Sequence, residues 1–149
     1  MKTELDAVPG WLFEGAMYDE ELRLFLVEGF EDEVPDEDSV GEVPVDSHPL
    51  VVRDESRRYE LRFPRPFAWQ CSDAGFAEED LGARADDDGV VQVLEESAYL
   101  ALHGAAGLET ELGPYRHYRV LTEDELVDVI SDAPPVVRAV DPSELEQGG

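Results

Sequence analysis

Lysine is almost missing from this chain: Lys2 is the only one, and the other ten basic residues are arginines. Cysteine is equally scarce. Cys71 stands alone, so no disulfide can close within the chain and no thiol pair is present to hold zinc. A lone thiol fits a reducing compartment. Long apolar runs are absent too, which argues against a membrane-spanning helix. The first residues do not read as a secretory leader, because Glu4, Asp6 and the Pro9-Gly10 pair interrupt them before an apolar stretch can form. The expected location is cytoplasmic. Histidine is limited to His48, His103 and His117, and no two sit at a spacing that sets a pair of metal ligands on one helix or hairpin. Gly-x-Ser-x-Gly elbows and glycine-rich phosphate loops are missing as well. No metal and no cofactor are expected.

What the chain has in excess is carboxylate. Thirty-seven Asp and Glu face eleven Lys and Arg, a net charge of −26 at pH 7. Hydrophobic residues make up 42%, enough for a core in one domain of 149 residues. A merely acidic interaction protein would usually keep surface lysines. A chain that has nearly lost them while multiplying carboxylates resembles the proteins of salt-loving microbes, the haloarchaea. In molar salt the Debye length falls to about 3 Å, so repulsion within a dense acidic surface is screened. A GC-rich genome would also favour Arg over Lys. Nucleic-acid backbones and anionic membrane surfaces would both repel such a chain.

The pattern along the chain reads as a single α+β domain over residues 1–140, with an acidic loop insertion at 31–49 and a loose tail at 141–149. The insertion carries acids at 31, 32, 33, 36, 37, 38, 42 and 46, no Lys or Arg, and three prolines. Trp11, Leu12, Phe13, Met17 and Tyr18 form an apolar cluster expected to plug one end of the core. Residues 22–27 read as a buried strand, with a short helix as rival. Residues 50–52 and 58–63 read as a hairpin, because Tyr59, Leu61 and Phe63 alternate with Arg58, Glu60 and Arg62. Further strands are expected at 90–94 and 115–121, with an edge strand at 136–140. The one clear helix lies near 97–103, capped by Ser97 and stopped by Gly104 and Gly107. At 125–131 a capping box (Thr122, Glu125) favours helix, whereas the Val-Asp-Val-Ile run favours a strand; we read a hairpin with 115–121. The expected architecture is a mostly antiparallel sheet of five to seven short strands with that helix packed on it.

The segment His117-Tyr118-Arg119-Val120-Leu121-Thr122, then Asp124, Asp128-Val129-Ile130-Ser131 and Pro134-Pro135, resembles the C-terminal signature of small uncharacterised microbial α+β proteins. The preceding Ser97-Ala98-Tyr99-Leu100 is similar as well. The resemblance covers about the last third of the chain. Some small proteins of this kind are immunity proteins, which bind and neutralise a toxin, so it implies a binding role.

Weighed singly, the chemistry-bearing residues favour structural roles. His48 reads as solvated, His103 as a cation at a helix C-terminus, and His117 as a packing residue on a strand. Cys71 reads as a small buried hydrophobe. The Asp86-Asp87-Asp88-Gly89 run lacks the alternating ligands and closing Glu of a calcium loop. Arg53, Arg57, Arg58, Arg62 and Arg65 form the one basic cluster, and pairing with acidic loops is its plainer reading. The leading functional expectation is a non-enzymatic binding or regulatory protein, immunity-like, that meets a protein partner through an acidic face. Its contact residues would be Asp32, Glu33, Asp36, Glu37 and Asp38, with Arg58 and Arg62. One alternative is a small enzyme or ligand-binding domain with a pocket built from Arg58, Arg62, His117 and Tyr118. Another is a structural subunit marked by a contiguous apolar patch. Oligomeric state stays open.

Overall fold

Side chains on a strand alternate between two faces, and in this chain that alternation separates core from solvent. Leu22, Leu24 and Leu26 are buried while Arg23 is exposed, and Leu61 and Phe63 are buried around an exposed Arg62. The computed structural model describes residues 2–8, 10–31, 50–74, 84–85, 89–95 and 97–140. In chain order its elements are a 3₁₀ turn (Glu4–Ala7), β1 (Trp11–Asp19), β2 (Glu21–Glu28), β3 (Phe30–Glu31), β4 (Leu50–Val51), β5 (Arg58–Phe63), β6 (Ala68–Asp73), β7 (Arg84–Ala85), β8 (Val91–Glu95), α1 (Ala98–Leu102), β9 (Glu109–Thr110), β10 (Gly113–Pro114), β11 (Arg116–Leu121), β12 (Glu125–Ser131) and β13 (Val136–Ala139).

Two antiparallel sheets dominate. The first runs β1-β2-β5-β13 and the second β6-β12-β11-β8-β7, with β3–β4 and β9–β10 as short ribbons. The sheets share one core. Leu22, Leu24, Leu26, Leu61 and Phe63 come from the first, and Val91, Tyr118, Val120, Val127 and Val129 from the second. Each such side chain, fully buried, contributes about 1.5–3 kcal/mol. Trp11 closes one edge of this core: its indole Nε1 donates to the Leu5 carbonyl at 2.8 Å, and its ring meets Tyr59 edge-on at 5.5 Å.

The connections define two ends. At one end lie the β1–β2 turn and the links from β5 to β6 and from β12 to β13. At the other, the β11–β12 turn docks on β1, where the Glu123 amide donates to the Trp11 carbonyl at 2.9 Å and the Phe13 amide to Asp124 Oδ1 at 3.0 Å. α1 and the segment after it pack on the outer side of the second sheet, where Tyr99 and Ala105 meet Ile130, with Ala68, Leu100 and Tyr115 around them.

Among the described residues the chain is thus mostly antiparallel sheet with one short helix. Strands outnumber the five to seven expected: thirteen occur among the described residues, five of them only two residues long. Residues 11–18 are not a plug but most of β1. That hairpin escaped notice because its turn places Glu20 at φ 64° with no Gly or Asn to announce it. Residues 22–27 form the core of β2, as expected. Residues 50–52 and 58–63 are not a hairpin: β4 pairs with β3, while β5 lies between β2 and β13. The buried faces of β2 and β5 match, and that match outweighs proximity along the chain. The conflict at 125–131 resolves as strand, β12. The acidic insertion, apart from Glu31, and the tail at 141–149 lie outside the described residues. Among the described residues, no helix is long and apolar enough to cross a membrane.

Candidate functional site

Neighbours on a strand face opposite ways, and β11 shows it at the two residues proposed for a pocket. Tyr118 turns into the shared core, its ring 5.8 Å from that of Phe63. His117 turns to the other face of the sheet, beneath α1, and has no exposed surface. Arg58 and Arg62 lie on the solvent side of the first sheet, where Arg58 Nε donates to Glu14 Oε1 at 3.0 Å and Arg62 Nε sits 3.6 Å from Glu21 Oε2. These four residues therefore do not converge. Asp32, Glu33, Asp36, Glu37, Asp38 and His48 lie outside the described residues. His103 is the C-cap of α1, its ring edge-on to Tyr99 at 4.8 Å.

What the fold does assemble is a buried polar chain around His117. Ser97 Oγ lies 2.5 Å from His117 Nδ1, and His117 Nε2 lies 2.6 Å from Asp128 Oδ1. Arg119 Nε donates to the same carboxylate oxygen at 3.0 Å, and Gln70 Nε2 to Oδ2 at 3.4 Å. Strand register explains the grouping. Arg119 is directly opposite Asp128 across β11–β12, Gln70 is opposite it across β12–β6, and His117 is the diagonal neighbour. Burial pushes the Asp128 carboxyl up, but the hydrogen bonds and charges of His117 and Arg119 outweigh it and hold the group below its ordinary value of 3.8. An ionised Asp128 accepts Nε2–H from His117, which leaves Nδ1 to accept the Ser97 hydroxyl proton.

Hydroxyl, imidazole and carboxylate in sequence is the arrangement that activates a nucleophile for acyl transfer. Here it is closed. Ser97 is 5%, His117 0% and Asp128 3% exposed, so no substrate carbonyl reaches the hydroxyl. Ser97 Oγ also caps α1 by accepting from the Leu100 amide at 3.2 Å. The chain of hydrogen bonds fastens α1 to the second sheet. Burial pushes the Tyr99 phenol, packed against the His117 ring at 5.1 Å, up to about 12. Sequence reasoning found Ser97 as a cap and His117 as a packing residue but missed Asp128. The available signal was a lone acid in the apolar run 126–130, facing Arg119 once the hairpin register is drawn.

Three arginines of the cluster, Arg57, Arg58 and Arg62, are engaged in ion pairs on the first sheet and its margin. Arg57 holds Glu28 with two guanidinium contacts, at 3.2 and 3.1 Å, and those hydrogen bonds keep the Glu28 carboxyl below its ordinary range. Arg53 lies over the Phe30 ring at 5.0 Å. Where β5 begins and β13 ends, a groove of about 330 Å³ opens between Asp54, Glu55, Arg57, Arg58, Tyr59 and Val140. Its size suits a small molecule or one large side chain. Of the expected pocket residues, only Arg58 lines it.

Cys71 lies exposed on the edge strand β6, and its thiol is raised by burial of its surroundings and then by the charges of Glu125 and Asp128. Among the described residues, no three His, Cys, Asp or Glu side chains are grouped to hold a metal ion. No family model, no curated protein and no solved structure matches the chain.

Proposed function

We propose that the chain is a non-enzymatic binding protein, acting as immunity proteins do, that engages a basic protein partner through its carboxylate surface. The observation that carries this reading is the charge surplus: if every Lys and Arg held one carboxylate, the net −26 would still stand as unpaired acid. The described ion pairs place Glu14, Glu21, Glu28, Glu60 and Asp128 against Arg23, Arg57, Arg58, Arg62, Arg119 and Arg138, so these arginines are already engaged while carboxylates remain in excess. Closure of the Ser97–His117–Asp128 chain supports a role without bond-making chemistry.

Asp32, Glu33, Asp36, Glu37 and Asp38 supply the contact face in this proposal, with Arg58 and Arg62 at its margin. At low ionic strength such a face steers a cationic partner; in molar salt steering is screened, and packed aromatic and Arg contacts carry the affinity. The test is affinity isolation from host cells in high potassium chloride, followed by titration of the purified partner. A basic protein whose affinity falls at least tenfold when the five acids become Asn and Gln supports the reading. A small molecule retained through purification instead would favour the second reading, a ligand-binding domain, for which the groove at Arg57 and Arg58 speaks.

A further inference from the structure

Four charged side chains line the groove between the start of β5 and the end of β13: Asp54, Glu55, Arg57 and Arg58. The two arginines are already neutralised. Arg57 gives Glu28 two guanidinium contacts and its backbone amide as well, the last at 3.1 Å, and Arg58 Nε donates to Glu14. Neither Asp54 nor Glu55 has a hydrogen-bond or ion-pair partner for its carboxylate among the described residues. The backbone that carries them is fixed. Residues 53–56 form a tight turn in which the Ser56 amide donates to the Arg53 carbonyl at 3.0 Å and the Arg53 amide to the buried Ser56 Oγ at 2.9 Å. The remaining wall is apolar. Tyr59, whose ring meets Trp11 edge-on, stands directly opposite Ala139, and so small a cross-strand partner leaves the space beside the ring open. Val140 continues that wall, its amide donating to the Arg58 carbonyl at 2.8 Å.

We infer that this groove is a binding site for an organic cation, a guanidinium or ammonium group on a short alkyl stem. Once the ion pairs cancel, the groove keeps the two negative charges of Asp54 and Glu55. An anion is repelled by them, and to reach Arg57 it would have to displace Glu28 from three hydrogen bonds. Exposed carboxylates are plentiful in a chain of net charge −26 and alone select nothing. What sets Asp54 and Glu55 apart is the apolar wall beside them, which an alkyl stem covers and an inorganic cation does not. The same chemistry is offered by a lysine or arginine side chain on a protein and by a free small molecule. The site does not depend on the acidic face at residues 32–38, and replacing the five acids there should leave it unchanged, so either proposal fails without the other.

The test follows backbone amide chemical shifts of the full chain during titration with n-butylguanidinium in about 1 M KCl, where excess potassium screens general attraction to carboxylates. The largest shifts are expected at residues 54–59 and 139–140. Each buried CH2 is worth about fourfold in affinity, so butylguanidinium should bind at least about fivefold more tightly than methylguanidinium. Pentanoate, an anion on a similar stem, should not bind. Asp54→Asn/Glu55→Gln should weaken binding at least fivefold by removing the charge, and Ala139→Leu should do the same by filling the space. Glu109→Gln/Glu111→Gln, exposed acids on another part of the surface, should change nothing. All five substituted positions are exposed, and circular dichroism confirms that each variant folds. A capped Gly-Arg-Gly peptide separates the two sources: binding with the same shifts assigns the groove to a protein side chain, and refusal of the peptide alone assigns it to a free small molecule. Absence of shifts at the groove, shifts spread evenly over the acidic surface, equal affinity for methyl- and butylguanidinium, or binding indifferent to both groove variants overturns the inference.

Discussion

Replacing Asp128 with alanine should destabilise this protein more than almost any other removal of a carboxylate. The substitution leaves His117, with no exposed surface, and Arg119, 6% exposed, without their shared acceptor. Breaking this buried network from one side makes the loss about 3–5 kcal/mol, the usual range for removing one partner of a buried pair. For a chain of this size each kcal/mol is about 2–4 °C, so the melting temperature should fall by about 6–20 °C. Glu21→Ala is the control, because its pairs with Arg23 and Arg62 lie at the surface, where water and salt screen them and they contribute little. Thermal unfolding by circular dichroism, in about 2 M KCl to screen general repulsion, measures both. The acid limb adds a second check. Since folding depresses the Asp128 pKa, its contribution is complete above the ordinary value of 3.8 and is lost as pH falls through the lower folded value. The gap between wild type and Asp128→Asn should therefore hold above 3.8, begin to narrow as pH falls below it, and be closed once pH is below the folded value. An Asp128→Ala protein that melts no lower than Glu21→Ala at neutral pH would refute the reasoning.

Three further outcomes are expected. Glu20 occupies the left-handed region at φ 64°, so Glu20→Gly should stabilise the β1–β2 hairpin by about 1 kcal/mol in urea titration, and a loss of stability would show that the side chain contributes something else. Despite its exposure, Cys71 should react slowly with iodoacetamide at neutral pH, with a rate midpoint above the ordinary thiol value of 9.0; a midpoint at or below it contradicts the shift. Stability in urea should rise as KCl goes from dilute to about 2–3 M, whereas no salt dependence would remove the high-salt reading of the acidity.

Much of the secondary structure was legible because buried strands advertise themselves. Residues 22–27, 58–63, 90–94 and 115–121 carry apolar positions at strand spacing, and Ser97 announced the helix it caps. Pairing was not legible. Nothing local to β5 states that its neighbours are β2 and β13, because those partners are chosen by complementary buried faces and not by turn chemistry. The polar chain was half legible: Ser97 caps α1 as its position in the sequence suggests, and His117 is buried on a strand. Asp128 became visible only with a register, since in a chain with 37 acids one more draws no attention until its opposite number is Arg119. Arg58, Arg62, His117 and Tyr118 looked like a set because two pairs are close in sequence, yet adjacency on a strand is what sends His117 and Tyr118 apart.

The position of β13 has a consequence for how the molecule is made. It joins the first sheet by pairing Val137 with Leu61 and Arg138 with Glu60, partners separated by nearly the whole second sheet along the chain. Until that late strand is available, β5 presents a bare hydrogen-bonding edge. Closing such distant contacts is slow, typically milliseconds to seconds in sheet proteins, so a growing chain passes through a stage at which a half-built sheet seeks a partner. In dilute buffer, mutual repulsion among carboxylates would keep two such unfinished chains from satisfying each other's edges, a protection that concentrated salt removes.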